Sequence, residues 1–429
     1  MRHYAFLRIL GRSDPESAAA RNAAAGLLAL RQLDIWADHP GLLEDEHVAA
    51  VARRIQDADP AIAHILTAAV RDMARARDVN RMLAPFVAYA VLLIDRLQHT
   101  LAVDVLDSVI GVAMIDRLDM GRDPWFLATC YMQLGEAYFL CGKWVRAHES
   151  FERVRALLQS HTGRAEREMA LLATVRDCMI DYVQGNLGLA KTNIAKSMAS
   201  FTPDTSPTIR HRALMVRGGI AIRLGNFFHG LTDFYAAFQI ADGPRARELS
   251  LCDIAVALIM MGRHYDTAMN VYAYMVRHGT SSYVRYVSVV NLLELCVINA
   301  DALPDAEAQF AYWWEVFGTM DVPMPESEMH GWLFYANSIE RWGTRADAIR
   351  TYQEVIARAK RAGIHRVVSQ AENALDALLR PGTQKPLREP APPAKSRTAP
   401  SKSRTALIAR SVDAFCLAAS SSGEARLVR

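Results

Sequence analysis

Gly135 and the pair Gly142-Lys143 come nearest in this chain to a phosphate-binding loop, in which backbone N–H groups cradle phosphate and a lysine reaches its far end. The interval between the glycines is two residues too long, and Trp144 stands where a Ser or Thr hydroxyl must hold magnesium. His148-Glu149 begins like a zinc-binding H-E-x-x-H helix, but Glu152 occupies the place of the second histidine. Neither G-x-G-x-x-G nor G-x-S-x-G occurs. The thirteen histidines are scattered, and a pair such as His211 and His229 reads as ordinary surface or core histidine. Asp301 with Asp305, and Glu326 with Glu328, fall at a hairpin turn and a helix start, where carboxylates meet exposed N–H groups without any catalytic purpose. The residues thus predict no enzyme, no catalytic group, no cofactor and no metal site.

Composition narrows the remaining choices. The chain has 429 residues, 51% of them hydrophobic, and a formal net charge of +3 with 22% charged residues. That near-balance gives no field directed at nucleic acid or a membrane surface. Six cysteines, Cys130, Cys141, Cys178, Cys252, Cys296 and Cys416, are far apart and form no C-x-x-C pair, so they read as buried thiols of a reducing cytoplasm. The N-terminal stretch from Met1 to Ser13 is interrupted by Arg2, Arg8 and Arg12, which is unlike a signal peptide. The longest apolar stretch, Met82 to Ile94, contains Pro85 and is shorter than the ~20 residues of a spanning helix. No membrane association is expected.

What positions these residues is helix. Apolar residues return at three- and four-residue intervals to about Leu379, and Asp59-Pro60, Asp123-Pro124 and Ser206-Pro207 carry the capping chemistry of helix starts. Turn glycines at 142, 185, 225 and 262 recur at about 40 residues, the period of stacked helix pairs, and Gly343 begins a further copy. Aligned on the glycine, Ala147 and Phe151 in the first copy match Ala190 and Ile194 in the second, and Phe234 in the third. Ala348 and Tyr352 take these places in the Gly343 copy, while Ala268 and Tyr272 match only if one residue is inserted after Gly262. A small residue on the second helix lets it approach the first, and the large residue four places on fills the groove beside it. Tyr283 to Ala300 and Pro304 to Phe317 form another pair, whose turn lacks a glycine.

Tyr131-Met-Gln-Leu134-Gly135-Glu-Ala-Tyr138, followed by Gly142, Ala147 and Phe151, resembles the tetratricopeptide repeat, and Trp332 with Ala336, Gly343, Ala348 and Tyr352 is a second good copy. The other copies are degenerate, and the period exceeds the family's ~34 residues. The resemblance implies an all-α fold, a right-handed α-solenoid of stacked antiparallel helix hairpins. It also implies a concave groove lined by first helices. Groove positions are Met132, Glu136 and Phe139 in the best copy, Arg212, Met215 and Arg223 in the Gly225 copy, and Asn337 and Arg341 in the last. Leu333 stands where a carboxylate-clamping lysine would be, so chaperone-tail binding is not implied. The function expected is a non-enzymatic scaffold binding a protein or peptide. The alternative is a ligand- or peptide-responsive sensor module of a bacterial-type transcription system, for which no DNA-binding helix-turn-helix is found. Self-association is left open.

Three regions follow from these signals. Residues 1–119 form helix pairs without the repeat signature, a cap or diverged continuation; residues 120–380 carry the repeats; residues 381–429 turn abruptly rich in Pro, Ala, Ser, Lys and Arg. That last segment reads as a disordered basic tail, able to touch nucleic acid only weakly, in which Val412 to Ala419 could become helical on contact. In Trp313-Trp314, adjacent positions point in different directions, which suggests one ring as a surface anchor.

Overall fold

The computed structural model describes residues 3–39, 45–75, 79–115, 123–280, 282–320, 325–380 and 402–427. Among them every regular element is helical. The contacts divide the chain into two compact units, 1–186 and 187–429.

The first unit comprises α1 (Tyr4–Leu10), α2 (Ala18–Asp38), α3 (Asp45–Ile55), α4 (Pro60–Arg75), α5 (Val79–Asp95), α6 (His99–Ala113), α7 (Pro124–Leu140), α8 (Trp144–Leu158) and α9 (Arg164–Val183). Three of its starts follow the capping chemistry: the Ser17 hydroxyl accepts the Ala20 N–H, Asp59 accepts that of Ala61, and Asp123 that of Trp125. One apolar core runs from Phe6 through Leu30, Leu66, Phe86 and Leu106 to Phe151 and Ile180. The same core thus takes in helices on both sides of residue 119, with α6 packed on α7. The short α1, unforeseen in the sequence, is pinned from two sides, by the Ala5 N–H donated to Asp104 at 2.8 Å and by His3 against Asp34 at 2.8 Å.

The second unit holds α10 (Leu187–Ala199), α11 (Pro207–Arg223), α12 (Phe227–Ile240), α13 (Pro244–Met260), α14 (Tyr265–His278), α15 (Ser282–Ile298), α16 (Ala306–Gly318), α17 (Pro325–Trp342), α18 (Arg345–Ala362), α19 (His365–Leu379) and α20 (Lys402–Leu427). From α10 to α19 each helix packs on the next. First helices also pack on one another, α11 on α13, α13 on α15, α15 on α17 and α17 on α19. Among the described residues no comparable packing joins α12 to α14, α14 to α16 or α16 to α18. A row of hairpins touching along its first helices and standing apart along its second curves with the first helices inside, so the inner face of this unit is built from α11, α13, α15 and α17.

The hairpin turns share one construction. Gly142, Gly185, Gly225 and Gly262 all have positive φ, and the following N–H returns to the carbonyl five residues back, as Lys143 to Tyr138 and Asn226 to Ala221. After Gly262 the next helix starts one residue later than in the other copies, with His264 left-handed, which is the inserted residue of the sequence alignment. Gly343 departs from this pattern: its φ is not positive, and Thr344 caps α18 by accepting the Asp347 N–H. Helix contacts follow the repeat signature. A Cβ at Gly135 would lie 2.5 Å from the Phe151 ring, and one at Gly218 would lie 2.6 Å from that of Phe234. At the same place in the other copies stand the buried Cys178, Ala255 and Ala336. Ala147, Ala190, Ala268 and Ala348 are all buried on the second helices.

The expectation of an unstructured tail gives way over 402–427. α20 packs on α14, burying Ile408, Ala409, Val412 and Cys416 in the core of the second unit. The physical reason is the apolar stripe hidden in a polar, basic composition, which finds a partner in the same chain. Residues 381–401 lie outside the described residues.

Candidate functional site

The groove residues expected from the repeat alignment fall on first helices, and the structure gives most of them partners within the chain. In the first unit Met132 is buried, and Phe139 packs edge-on against Trp144 at 5.3 Å. Glu136 of α7 is bridged at 2.8 Å by Arg176 of α9, so the two charges neutralise each other. In the second unit Asn337 accepts the Tyr352 hydroxyl at 2.7 Å and serves the α17–α18 contact. Arg341 is only 14% exposed in its side chain and is ion-paired with Asp301, beside a recess also lined by Glu307 and Trp342. Met215 packs against the core, with the Ser250 hydroxyl 3.5 Å from its sulfur. Arg212 is half-buried and Arg223 exposed. Of the three arginines, Arg341 thus spends its charge within the chain.

What the inner face of the second unit gathers instead is acidic and apolar. Along α13, Leu249, Asp253, Val256 and Met260 follow at intervals of three and four and share one side. Along α15, Tyr283, Val287, Asn291, Glu294 and Ile298 do the same. The two stripes border the same buried phenol: the charge of Asp253 acts on the Tyr283 and Tyr272 hydroxyls, and that of Glu294 acts on Tyr272. Tyr272 comes from α14, wholly buried, with its hydroxyl beside Asn291. Burial and then the negative groups around it hold that phenol well above its ordinary range. Cys252 Sγ lies 3.9 Å from Ser288 Oγ at the same level.

Asp253 is the unusual member. No described residue donates a hydrogen bond to it or pairs with its charge, and its surroundings raise the carboxyl from 3.8 to about 7. The cause is desolvation, protein crowding around a group that water still reaches in part. Glu294 is likewise raised by desolvation, with Arg366 of α19 acting in the opposite sense, although its side chain is open to solvent. Crowding combined with accessibility is what a concave wall produces. Apolar side chains remain uncovered on both stripes, Tyr283 at 39%, Met260 at 47% and Ile298 at 52% exposure. Chemically the face offers two carboxylates flanked by uncovered aliphatic and aromatic surface, a setting for a cation with apolar neighbours.

The sequence held a signal for this pair that the repeat alignment passed over. Asp253 is the one charged residue between Leu251 and Gly262, and Glu294 is the one charged residue between Tyr286 and Ala300. A lone carboxylate in the apolar C-terminal part of a first helix is more than a solvated face requires. The Trp313-Trp314 pair resolves differently from expectation. Trp313 is buried, while Trp314 stacks on Tyr335 at 4.4 Å within a cluster that includes Phe310, Phe317 and Trp332. Neither ring is a free anchor. Among the described residues no helix is long and apolar enough to cross a membrane, and no group of three or more metal-ligating side chains is assembled.

No protein-family model matches the chain, and no curated protein matches it. Among solved structures it is similar to a tetratricopeptide repeat protein from Parabacteroides merdae, at 14% identity and a TM-score of 0.39 over 68% of this chain and 99% of that one. A Rap protein complexed with competence and sporulation factor aligns at 10% identity and 0.43, over 85% and 98% of the respective chains. A signal transduction ATPase with a tetratricopeptide repeat sensor from Pyrococcus horikoshii aligns at 11% identity and 0.48, over 88% and 68%.

Proposed function

We propose that the protein is a non-enzymatic binding scaffold whose second unit takes an extended segment of a partner protein along the inner face of α13 and α15, with a lysine or arginine of that segment received by Asp253 and Glu294. The observation that carries this reading is the unpaired Asp253, a carboxylate kept among protein at a cost to folding, on a helix whose neighbouring positions leave apolar surface uncovered. A cation arriving from a partner supplies the missing counter-charge, and apolar residues on either side of it cover Leu249, Tyr283, Met260 and Ile298. Interaction along an extended inner face is what a stack of hairpins offers in place of a deep pocket.

The test is a series of nine-residue peptides with leucine and phenylalanine flanks and a central Lys, Arg, norleucine or Glu, titrated by fluorescence anisotropy. Lys- and Arg-centred peptides should bind at least tenfold more tightly than the others. The gap should close in the double variant Asp253→Asn, Glu294→Gln, and binding should tighten as pH rises from about 6 to about 8, as Asp253 ionises. Equal binding of all four peptides, or discrimination untouched by the double variant, would move the site off this face.

A further inference from the structure

α20 reaches the second unit from the far side of the chain's low-complexity segment and lies over the outer helices. Its buried stripe is Thr405, Ile408, Ala409, Val412 and Cys416. Phe415 stands at the centre, 5.2 Å from Phe238 of α12, 5.8 Å from Tyr274 of α14 and 5.9 Å from the Arg247 guanidinium of α13. Polar groups fix the register: the hydroxyls of Ser411 and Tyr235 share a hydrogen bond of 2.9 Å, while Asp413 accepts from Thr267 at 2.8 Å and from Asn270 at 3.2 Å. α20 thus bridges α12 and α14, which lack close packing on each other, and fills the trough that the curvature leaves between them. The hairpins themselves stack without it, through α12 on α13, α13 on α14 and α14 on α15. Several of the aromatic groups it meets, Tyr235, Phe238 and Tyr274, are only half-buried even with α20 in place.

We infer that the trough between α12 and α14 is a helix-binding site, and that α20 is its resident ligand, docked reversibly in cis. Three features point to exchange. The interface is built as helix-in-groove recognition, with anchors at intervals of three and four and an aromatic at the centre. The segment before it, 381–401, is rich in Pro, Ala, Ser and Lys, a tether composition that leaves the helix attached when it undocks. α20 belongs to no hairpin and packs on α14, and most of a helix's stability comes from packing its apolar face, so helix formation is coupled to docking. Undocking bares Tyr235, Phe238 and Tyr274 together. The trough then accepts an amphipathic helix of the same pattern from elsewhere, so any partner at this site must compete with α20.

The experiment uses the full chain. A fluorescent peptide of residues 402–418 is titrated into the wild type and into the double variant Val412→Asp, Phe415→Asp, which loosens α20 and leaves the trough unaltered. The peptide should bind the variant at least tenfold more tightly than the wild type, and a peptide carrying Phe415→Asp should bind neither. Equal affinity for both chains, or no binding to the variant while its thermal melt is unchanged, would overturn the inference. Hydrogen exchange on the unmodified chain is independent of whether the variant folds: α20 amides should exchange at least a hundredfold faster than those of α14. Equal protection would make α20 a permanent part of the core and refute its exchange. Exchange of α20 between two copies, seen as a dimer at high concentration, would be the same site filled in trans and would support it.

Discussion

Replacing Asp253 by Asn removes a charge that the folded chain holds at a cost. Burial raises this carboxyl from 3.8 to about 7. At about 1.4 kcal/mol per pH unit, the rise corresponds to a ceiling of about 4 kcal/mol, and partial access to water brings the expected cost to about half of that. The folded state holds the proton more tightly than the unfolded state. Between about pH 4 and pH 7, therefore, the unfolded chain carries fewer protons, stability falls as pH rises, and above pH 7 the cost stays constant. Asp253→Asn should be more stable than the wild type by about 2 kcal/mol at pH 8 and nearly indistinguishable from it at about pH 4. For a unit of this size that is a rise in Tm of about 4–8 °C. Calorimetry at three pH values resolves it. A gain that does not depend on pH, or a loss at pH 8, would show that the carboxylate is satisfied within the chain and would remove the reason for placing a cation there. The same variant is expected to lose affinity for lysine-centred peptides, so stability and binding move in opposite directions.

Other substitutions test the packing and the polar contacts. Gly135→Val and Gly218→Val force bulk against Phe151 and Phe234 and should each cost on the order of 2–3 kcal/mol, whereas Gly188→Ala, with open space around its Cβ, should be neutral or stabilising; thermal melts compare them. Tyr352→Phe should lose about 1–2 kcal/mol, because the hydroxyl that Asn337 and Glu340 both face is removed, and denaturant unfolding measures it. A double-mutant cycle on Arg341→Ala and Asp301→Ala should give a coupling below about 1 kcal/mol, since Asp301 is 89% exposed and water competes for the pair.

How much of this was legible in the residues depends on which force each position obeys. Gly135, Ala147 and Phe151 are dictated by close contact between two helices, and contact of that kind admits few residue types, so the hairpins could be found by aligning small and large side chains. The inserted residue after Gly262 was legible for the same reason, because Ala268 and Tyr272 kept their partners while the turn absorbed the difference. Groove residues obey no such rule. Arg341 and Asn337 lie on first helices as the alignment required, yet what occupies them is Asp301 and Tyr352, partners that only the folded chain brings near. Asp253 was passed over because aligning the repeats weighs the small and large residues of helix contacts, while its signal is a single charge isolated in an apolar run. The basic, proline-rich composition of the C-terminus hid the spacing of Ile408, Val412 and Cys416, which belongs to a docked helix.

The unequal spacing of the hairpins in the second unit has a mechanical side. Helices that touch along one edge and stand apart along the other behave as leaves bound at a spine, and the open edge is where the angle between leaves is set. α12 and α14 cannot swing together while α20 stands between them, joined to one by Ser411 and to the other by Asp413. The C-terminal helix is thus a shim. Drawing it out would remove the link from α12 to α14, and undocking on the outer surface is then expected to loosen the bend along the row that carries Asp253.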